Sequence, residues 1–267
     1  MISIYEVEGV RAFVLDFYNA AWKTTTETRR VFEHIGYELT EAARNVVPLL
    51  QNLTNTETLY AGPIARAGCG LFRPPAIKVL EALCSAHGVT FKAFGMGLRR
   101  VENPLRRPAV VYWNTLRRNS DLDLSASPIL LYEMGEATGS TIEGAMNELR
   151  RLKARSHNVV VLMGAACLDQ TKSRLEAVAP GVNVVAGSRW RYEEAPGPTQ
   201  YYLTSIWNHG WQPVTPRDWG RCVAGMVDRA AVDAFIDWIQ ETLPMSPSDR
   251  HMLRQRWSGQ IHEKSVS

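Results

Sequence analysis

Long hydrophobic runs are missing from this chain. The longest nearly apolar stretch, residues 159–168, is about ten residues, against the ~18 or more that a membrane-crossing helix needs. No transmembrane segment is expected. Cysteine is scarce. Cys69, Cys84, Cys167 and Cys222 form no CxxC pair and no disulfide-framework spacing, which points to a reduced, cytoplasmic protein. The six histidines make no HExxH or comparable metal spacing. There is no GxxxxGK[ST] and no GxGxxG after a strand, so neither a P-loop nor a dinucleotide fingerprint is present. Excess charge is small too: 30 Lys+Arg against 27 Asp+Glu gives +3, too little to predict a nucleic-acid partner. Glu6, Glu8 and Asp16 stand where a secretory signal would be apolar, so no export signal is expected.

What remains is ordinary globular composition, 45% hydrophobic and 21% charged over 267 residues, enough for one or two domains. Residues 24–47 carry helical signals, with Val31, Phe32, Ile35, Leu39, Ala42 and Val46 on one face. A strand over 58–65 and a helix over 75–87, stopped at Gly88, come next. A further strand is predicted over 89–96. Residues 97–120 hold six arginines against one acid, Glu102, with Pro104 and Pro108; they predict a basic arm or hairpin. Beyond Pro128 the pattern alternates: strand 129–132, helix 139–152, strand 158–166, helix 168–178, strand 182–186. Strands joined through helices imply a mostly parallel sheet covered on both faces, an α/β fold. Residues 190–225, rich in Trp, Pro, Gly and Tyr, are expected to be irregular loops. Helices over 229–243 and 248–257 are expected to close the chain. Six of the eight tryptophans lie after residue 189.

The segment with the most chemistry is residues 129–141. An apolar strand runs into Glu133, then Gly135, Glu136 and Ala137, then the turn Thr138-Gly139-Ser140-Thr141, then a helix. A helix start has orphan N–H groups and a positive dipole end, and Gly139 lets backbone approach an anion closely. An ionised acid at the strand end accepts hydrogen bonds and so suits vicinal ribose hydroxyls. Ligands of parallel sheets bind at the carboxyl ends of the strands. Taken alone, a T-G-S-T turn is equally an ordinary helix start.

Four ordered blocks resemble type I phosphoribosyltransferases, and more closely their uracil phosphoribosyltransferase branch. The 129–141 turn resembles the phosphoribosyl-pyrophosphate motif. Pro63-Ile64-Ala65-Arg66-Ala67-Gly68-Cys69-Gly70 is similar to P-I-L-R-A-G-L-G, the pyrophosphate loop. Gly97-Leu98-Arg99-Arg100-Val101-Glu102, with Pro108 and Tyr112, resembles the G-L-Y-R-D-E arm. Residues 210–225 align without a gap on the base loop G-Y-I-V-P-G-L-G-D-A-G-D-R-L-F-G. The resemblance spans about residues 24–225. It implies a phosphoribosyltransferase domain over 1–225, with arm 97–120 and base loop 207–225, and a helical C-terminal extension over 226–267.

The resemblance also implies roles. Glu133 would bind the ribose hydroxyls, and Ala137, Thr138, Gly139, Ser140 and Thr141 the 5′-phosphate. Arg66, with Ala67 and Gly68, would hold pyrophosphate, and Arg100 would reach it from the arm. Asp218 would lie near pyrophosphate and its magnesium ion (Mg2+), which comes with the substrate rather than in a protein cage. A homodimer or larger homo-oligomer is expected. Departures cluster about the acceptor. The motif's Met and Leu are Gly135 and Glu136; in the base loop a Tyr, an Ile and a Gly are Trp211, Gln212 and Arg217; the second Gly-Asp pair is Gly220-Arg221. Unpaired polar groups discriminate strongly between heterocycles, so the expected acceptor is a planar heterocycle other than uracil. Trp211 is the residue expected to stack on it. Uracil itself, or a phosphoribosyl-binding regulator without turnover, are the alternatives. The arm's arginines are expected to face pyrophosphate, and Cys69 and Cys222 to be packing residues.

Overall fold

Alternating burial builds the elements of the computed structural model, which describes residues 1–7, 25–54, 57–65, 68–99, 107–118, 122–136, 139–166, 168–187, 189–193, 200–204, 212–214, 246–248, 251–252 and 255. In chain order these are β1 (Ser3–Glu6), α1 (Thr25–Val46), α2 (Pro48–Gln51), β2 (Thr58–Ala65), α3 (Gly68–Leu71), α4 (Pro74–His87), β3 (Thr90–Ala93), β4 (Met96–Arg99) and β5 (Val110–Asn114). Then come β6 (Ile129–Glu136), α5 (Ser140–Arg151), β7 (Val159–Ala166), α6 (Leu168–Val178), β8 (Asn183–Ala186), β9 (Arg189–Glu193), β10 (Gln200–Thr204) and β11 (Gln212–Val214).

A parallel core runs in the order β3-β2-β6-β7-β8-β1. Alternate residues of its strands enter opposite layers. Leu130, Tyr132 and Met134 of β6 join Val160 and Leu162 of β7 beneath α1 and α4. Ile129 and Leu131 join Val159, Val161 and Met163 beneath α5 and α6. The expected α/β architecture, a mostly parallel sheet flanked by helices, is the one observed. Gly88 ends α4 in the left-handed conformation, φ 66°.

Several boundaries differ. The α1 face is Phe32, Ile35, Leu39 and Ala43, with Val31 and Ala42 partly buried against the same core; Val46, expected there too, is 41% exposed. Strand 89–96 is two strands. Phe94 N–H bonds the Ala61 carbonyl at 3.0 Å, whereas Gly95 N–H turns to Thr115 Oγ1 at 3.0 Å. The chain thus steps along β2, and β4 pairs with Ile64 and Ala65. Strand 129–132 continues to Glu136, because Glu133, Gly135 and Glu136 pair with Met163, Ala165 and Ala166 of β7. Residues 190–225 are not simply irregular: β9, β10 and β11 form an antiparallel meander. Pro213 sits in its last strand, an edge position where a missing N–H is tolerated. β1 was not expected from the sequence. The expected helices 229–243 and 248–257 lie almost wholly outside the described residues.

The basic arm is a hairpin, β4 against β5 with Met96 opposite Asn114. Its stem is seated on α5. Ala109 N–H bonds the Ser140 carbonyl at 2.9 Å. A Cβ at Gly144 would stand 2.2 Å from the Ala109 carbonyl oxygen, so only glycine fits there. Below this contact Arg117, in the 3-10 turn Thr115–Arg118, grips the buried Glu148 of α5 with Nε on Oε1 and Nη2 on Oε2, the latter at 2.6 Å. Asn114 Nδ2 adds a bond to Oε1 at 3.1 Å. This arginine, expected to face pyrophosphate with the others of the arm, is instead structural. Burial alone would raise the Glu148 pKa. The hydrogen bonds from Arg117 and Asn114 and the nearby guanidinium charges outweigh burial and hold it below the usual value.

A second buried polar link joins α1 to β6. Thr40 Oγ1 donates to the Gly36 carbonyl at 2.6 Å and lies 2.9 Å from Tyr132 Oη. Its one proton being so used, the phenol donates to Thr40. Burial keeps that phenol protonated well above the ordinary tyrosine value.

Two outcomes are expected from urea denaturation. Tyr132→Phe and Thr40→Val should each cost about 1–2 kcal/mol, and the double variant should cost clearly less than their sum. Glu148→Gln should cost about 1–2 kcal/mol at pH 7, a figure reduced for the partial exposure of Arg117. Because the folded pKa is depressed, wild type should hold its advantage above the unfolded carboxylate value and lose it as pH falls through the folded one. An advantage that persists unchanged at the acid end would contradict the assignment.

Candidate functional site

Three of the segments singled out from the sequence end at one edge of the sheet. The start of α3 after β2, the hairpin that β4 opens, and the Gly139 start of α5 after β6 follow the carboxyl ends of the neighbouring parallel strands β2, β4 and β6, the usual place for a ligand.

The start of α3, which follows β2, is locked to β6 by a close backbone approach. Gly68 opens α3 against β6, where an added Cβ would stand 2.0 Å from the Tyr132 carbonyl oxygen and 3.4 Å from the Glu133 Cα. No side chain fits there. The Glu133 backbone therefore lies directly against the start of α3. The residue is 6% exposed, and its Oε1 accepts the N–H groups of Met134 at 2.9 Å and Gly135 at 3.3 Å. These bonds orient the carboxylate from its own strand. Cys69 is within reach of its charge. Burial first, then the Glu133 charge, push the Cys69 thiol well above its ordinary value, and Arg73 only partly opposes them. A thiol so held is protonated and not a nucleophile, as the sequence reading of Cys69 as a packing residue expects. Arg73 itself is buried and meets Glu33 of α1 at 3.4 Å.

The third element is the start of α5. Gly139 is its N-cap, at φ 75°, and Ser140 and Thr141 follow as buried residues in its first turn. A Cβ at Gly139 would meet Arg174 Cδ at 2.8 Å and Thr171 Cα at 3.3 Å, both on α6. Glycine is thus required twice over, by the positive φ and by the space. A helix start of this kind, with a glycine N-cap and the positive end of the helix dipole, is a type of site that favours an anion.

Of the residues expected from the sequence, Gly68, Glu133, Gly135, Gly139, Ser140 and Thr141 are brought to this edge. Glu136 has its backbone in β6 beside Ala166, and Gln212 its backbone in β11 opposite Leu203. Arg66, Ala67, Arg100, Ala137, Thr138, Trp211, Arg217 and Asp218 lie outside the described residues. Among the described residues no group of three His, Cys, Asp or Glu side chains is placed to hold a metal ion.

Sequence reasoning missed the residues of α6. Arg174 Nη1 reaches Glu143 Oε2 of α5 at 2.6 Å, and Thr171 Oγ1 is buried with no hydrogen bond among the described residues. The spacing of Thr171 and Arg174 does place both on one helical face, but nothing in the sequence says that this face meets Gly139.

No protein-family model and no curated protein sequence matches the chain. Solved structures do. The AQ2163 protein from Aquifex aeolicus matches with TM-score 0.55 and 18% identity over 71% of this chain and 87% of its own. Two phosphoribosyltransferases match less extensively. One is the APRTase from Giardia lamblia complexed with 9-deazaadenine, with TM-score 0.35 and 14% identity over 59% of this chain and 80% of its own. The other is the adenine phosphoribosyl transferase from Trypanosoma brucei in complex with AMP, pyrophosphate and ribose-5-phosphate, with TM-score 0.37 and 14% identity over 61% and 66%. The chain shares with the Aquifex protein an α/β fold, here a mostly parallel sheet flanked by helices.

Proposed function

We propose that this protein is a phosphoribosyltransferase resembling the uracil phosphoribosyltransferase branch, moving 5-phosphoribosyl from phosphoribosyl pyrophosphate to a planar heterocycle other than uracil. One observation carries the reading. Gly68 of the pyrophosphate block packs against the Tyr132–Glu133 backbone, far from it in sequence, and the Gly139 turn follows the same strand β6, so residues of both blocks follow the carboxyl ends of adjacent strands, which supports a shared phosphorylated-sugar site.

In this reading the N–H groups from Gly139 onward and the hydroxyls of Thr138, Ser140 and Thr141 hold the 5′-phosphate. Glu133 accepts the ribose hydroxyls, its carboxylate set in place by the Met134 and Gly135 N–H groups. Arg66, with the backbone of Ala67 and Gly68, holds pyrophosphate, and Arg100 closes over it from the hairpin. The C1–oxygen bond breaks with its electron pair leaving on pyrophosphate, and the acceptor forms the new bond to C1. Charge separates in that step, so positioned cations and N–H groups are what the protein supplies. Magnesium, when bound, would come with the donor's pyrophosphate and offset its charge, and Asp218 is the residue that would lie near it. Trp211, Gln212, Arg217, Gly135 and Glu136 shape the acceptor pocket. A homodimer is part of the same reading.

The test is pyrophosphate release with magnesium, phosphoribosyl pyrophosphate and a panel of heterocycles. Turnover with a non-uracil acceptor is expected. Conversion of uracil alone would sink the altered acceptor, and donor binding without turnover on any acceptor would make the protein a regulator. Thr138→Ala combined with Ser140→Ala should weaken donor binding at least tenfold, whereas Trp211→Ala should impair acceptor use and leave donor affinity within about threefold. Equal effects on both substrates would mean that the loops are misassigned.

A further inference from the structure

A carboxylate stands close to where an anion would bind. Glu143 is in the first turn of α5, its N–H bonded to the Gly139 carbonyl at 2.9 Å. An acid there stabilises the helix through the dipole. It becomes a repelling like charge once a phosphate occupies the same helix end. The structure supplies the opposite charge. Arg174 comes from α6 and places Nη1 2.6 Å from Glu143 Oε2, with the two side chains 13% and 19% exposed. Its aliphatic stem lies on the turn itself, Cδ being 2.8 Å and Cβ 3.4 Å from where a Gly139 Cβ would be. Ion pair, helix end and glycine turn are therefore one packed unit, whose charged partners stand 31 residues apart in the chain.

Resting on the phosphoribosyl reading above, we propose that Arg174 is a positioning residue of the phosphate turn, whose charge cancels that of Glu143 and leaves the end of α5 able to hold a phosphate dianion. Arg174 acts through Glu143 and Gly139. It is not a catalytic residue. Arginine suits the task because its guanidinium keeps its charge when part-buried and its stem packs on the glycine turn.

The role has a signature that a purely structural clamp lacks, because the two partners should have opposite effects. Arg174→Met keeps an apolar stem over Gly139 and removes the charge. Binding of ribose 5-phosphate to the full-length chain, followed by titration calorimetry, should weaken on the order of tenfold, as expected for an uncompensated like charge in a part-buried site. The loss should shrink as salt rises. Glu143→Gln should bind as tightly as wild type or more tightly. The double variant should return to within about threefold of wild type. If Glu143→Gln binds as weakly as Arg174→Met, or the double variant is as weak as Arg174→Met alone, the pair is a clamp and the proposal falls. Should Arg174→Met fail to fold, Glu143→Gln by itself still decides, since any marked loss of affinity in it refutes charge compensation. Wild type that binds neither ribose 5-phosphate nor phosphoribosyl pyrophosphate would overturn the phosphoribosyl reading and this proposal with it. Binding with the wrong signs would overturn this proposal alone.

Discussion

The contact of Gly68 with the carbonyl of Tyr132 leaves no room for even a methyl group, and the candidate site is arranged around it. Through it the start of α3 and the acid on β6 are a single rigid object. Tyr132 is held from the other side by its bond to Thr40 of α1 and by the Phe72 ring, with centroids 5.2 Å apart. Sheet, α1 and α3 thereby close on one another through buried groups. Interiors are packed as densely as organic crystals, so a displacement of any of these elements would move Glu133 as well.

Around that frame, carboxylates occur with arginines. Glu148 has Arg117, Glu143 has Arg174, and Glu33 has Arg73. Such pairs contribute little net stability, since desolvation offsets most of the Coulombic gain. Their common effect is to fix geometry. Arg117 and Glu148 seat the hairpin on α5, Arg174 and Glu143 join α6 to the glycine turn, and Arg73 and Glu33 tie the start of α4 to α1. The basic excess of residues 97–120 is accordingly divided. Arg117 serves the fold, while Arg99 and Arg107 are exposed.

Legibility followed the range of the interactions. Helix α6 and the glycine end of α4 were readable because periodicity and capping are local. The parallel sheet was readable because strands joined through helices admit few other pairings. The split between β3 and β4 was not, because it depends on Gly95 N–H choosing Thr115 Oγ1 over β2. The meander β9–β11 was hidden by Pro and Gly between its short strands. In the site, the Gly139 turn and Glu133 were visible as strand, acid, small turn and helix. That Glu133 lies inside β6 and bonds its own backbone was not.

By itself, then, the sequence determined the α/β class, the order of most elements and the three blocks that meet at the sheet edge, since each is written in neighbouring residues. Only the tertiary structure decided which elements touch: β1 on β8, the hairpin stem on α5, Arg117 on Glu148 and Arg174 on Glu143. The reason is physical. Charge pairs and close backbone approaches depend on distance in space, and no spacing along the chain encodes it.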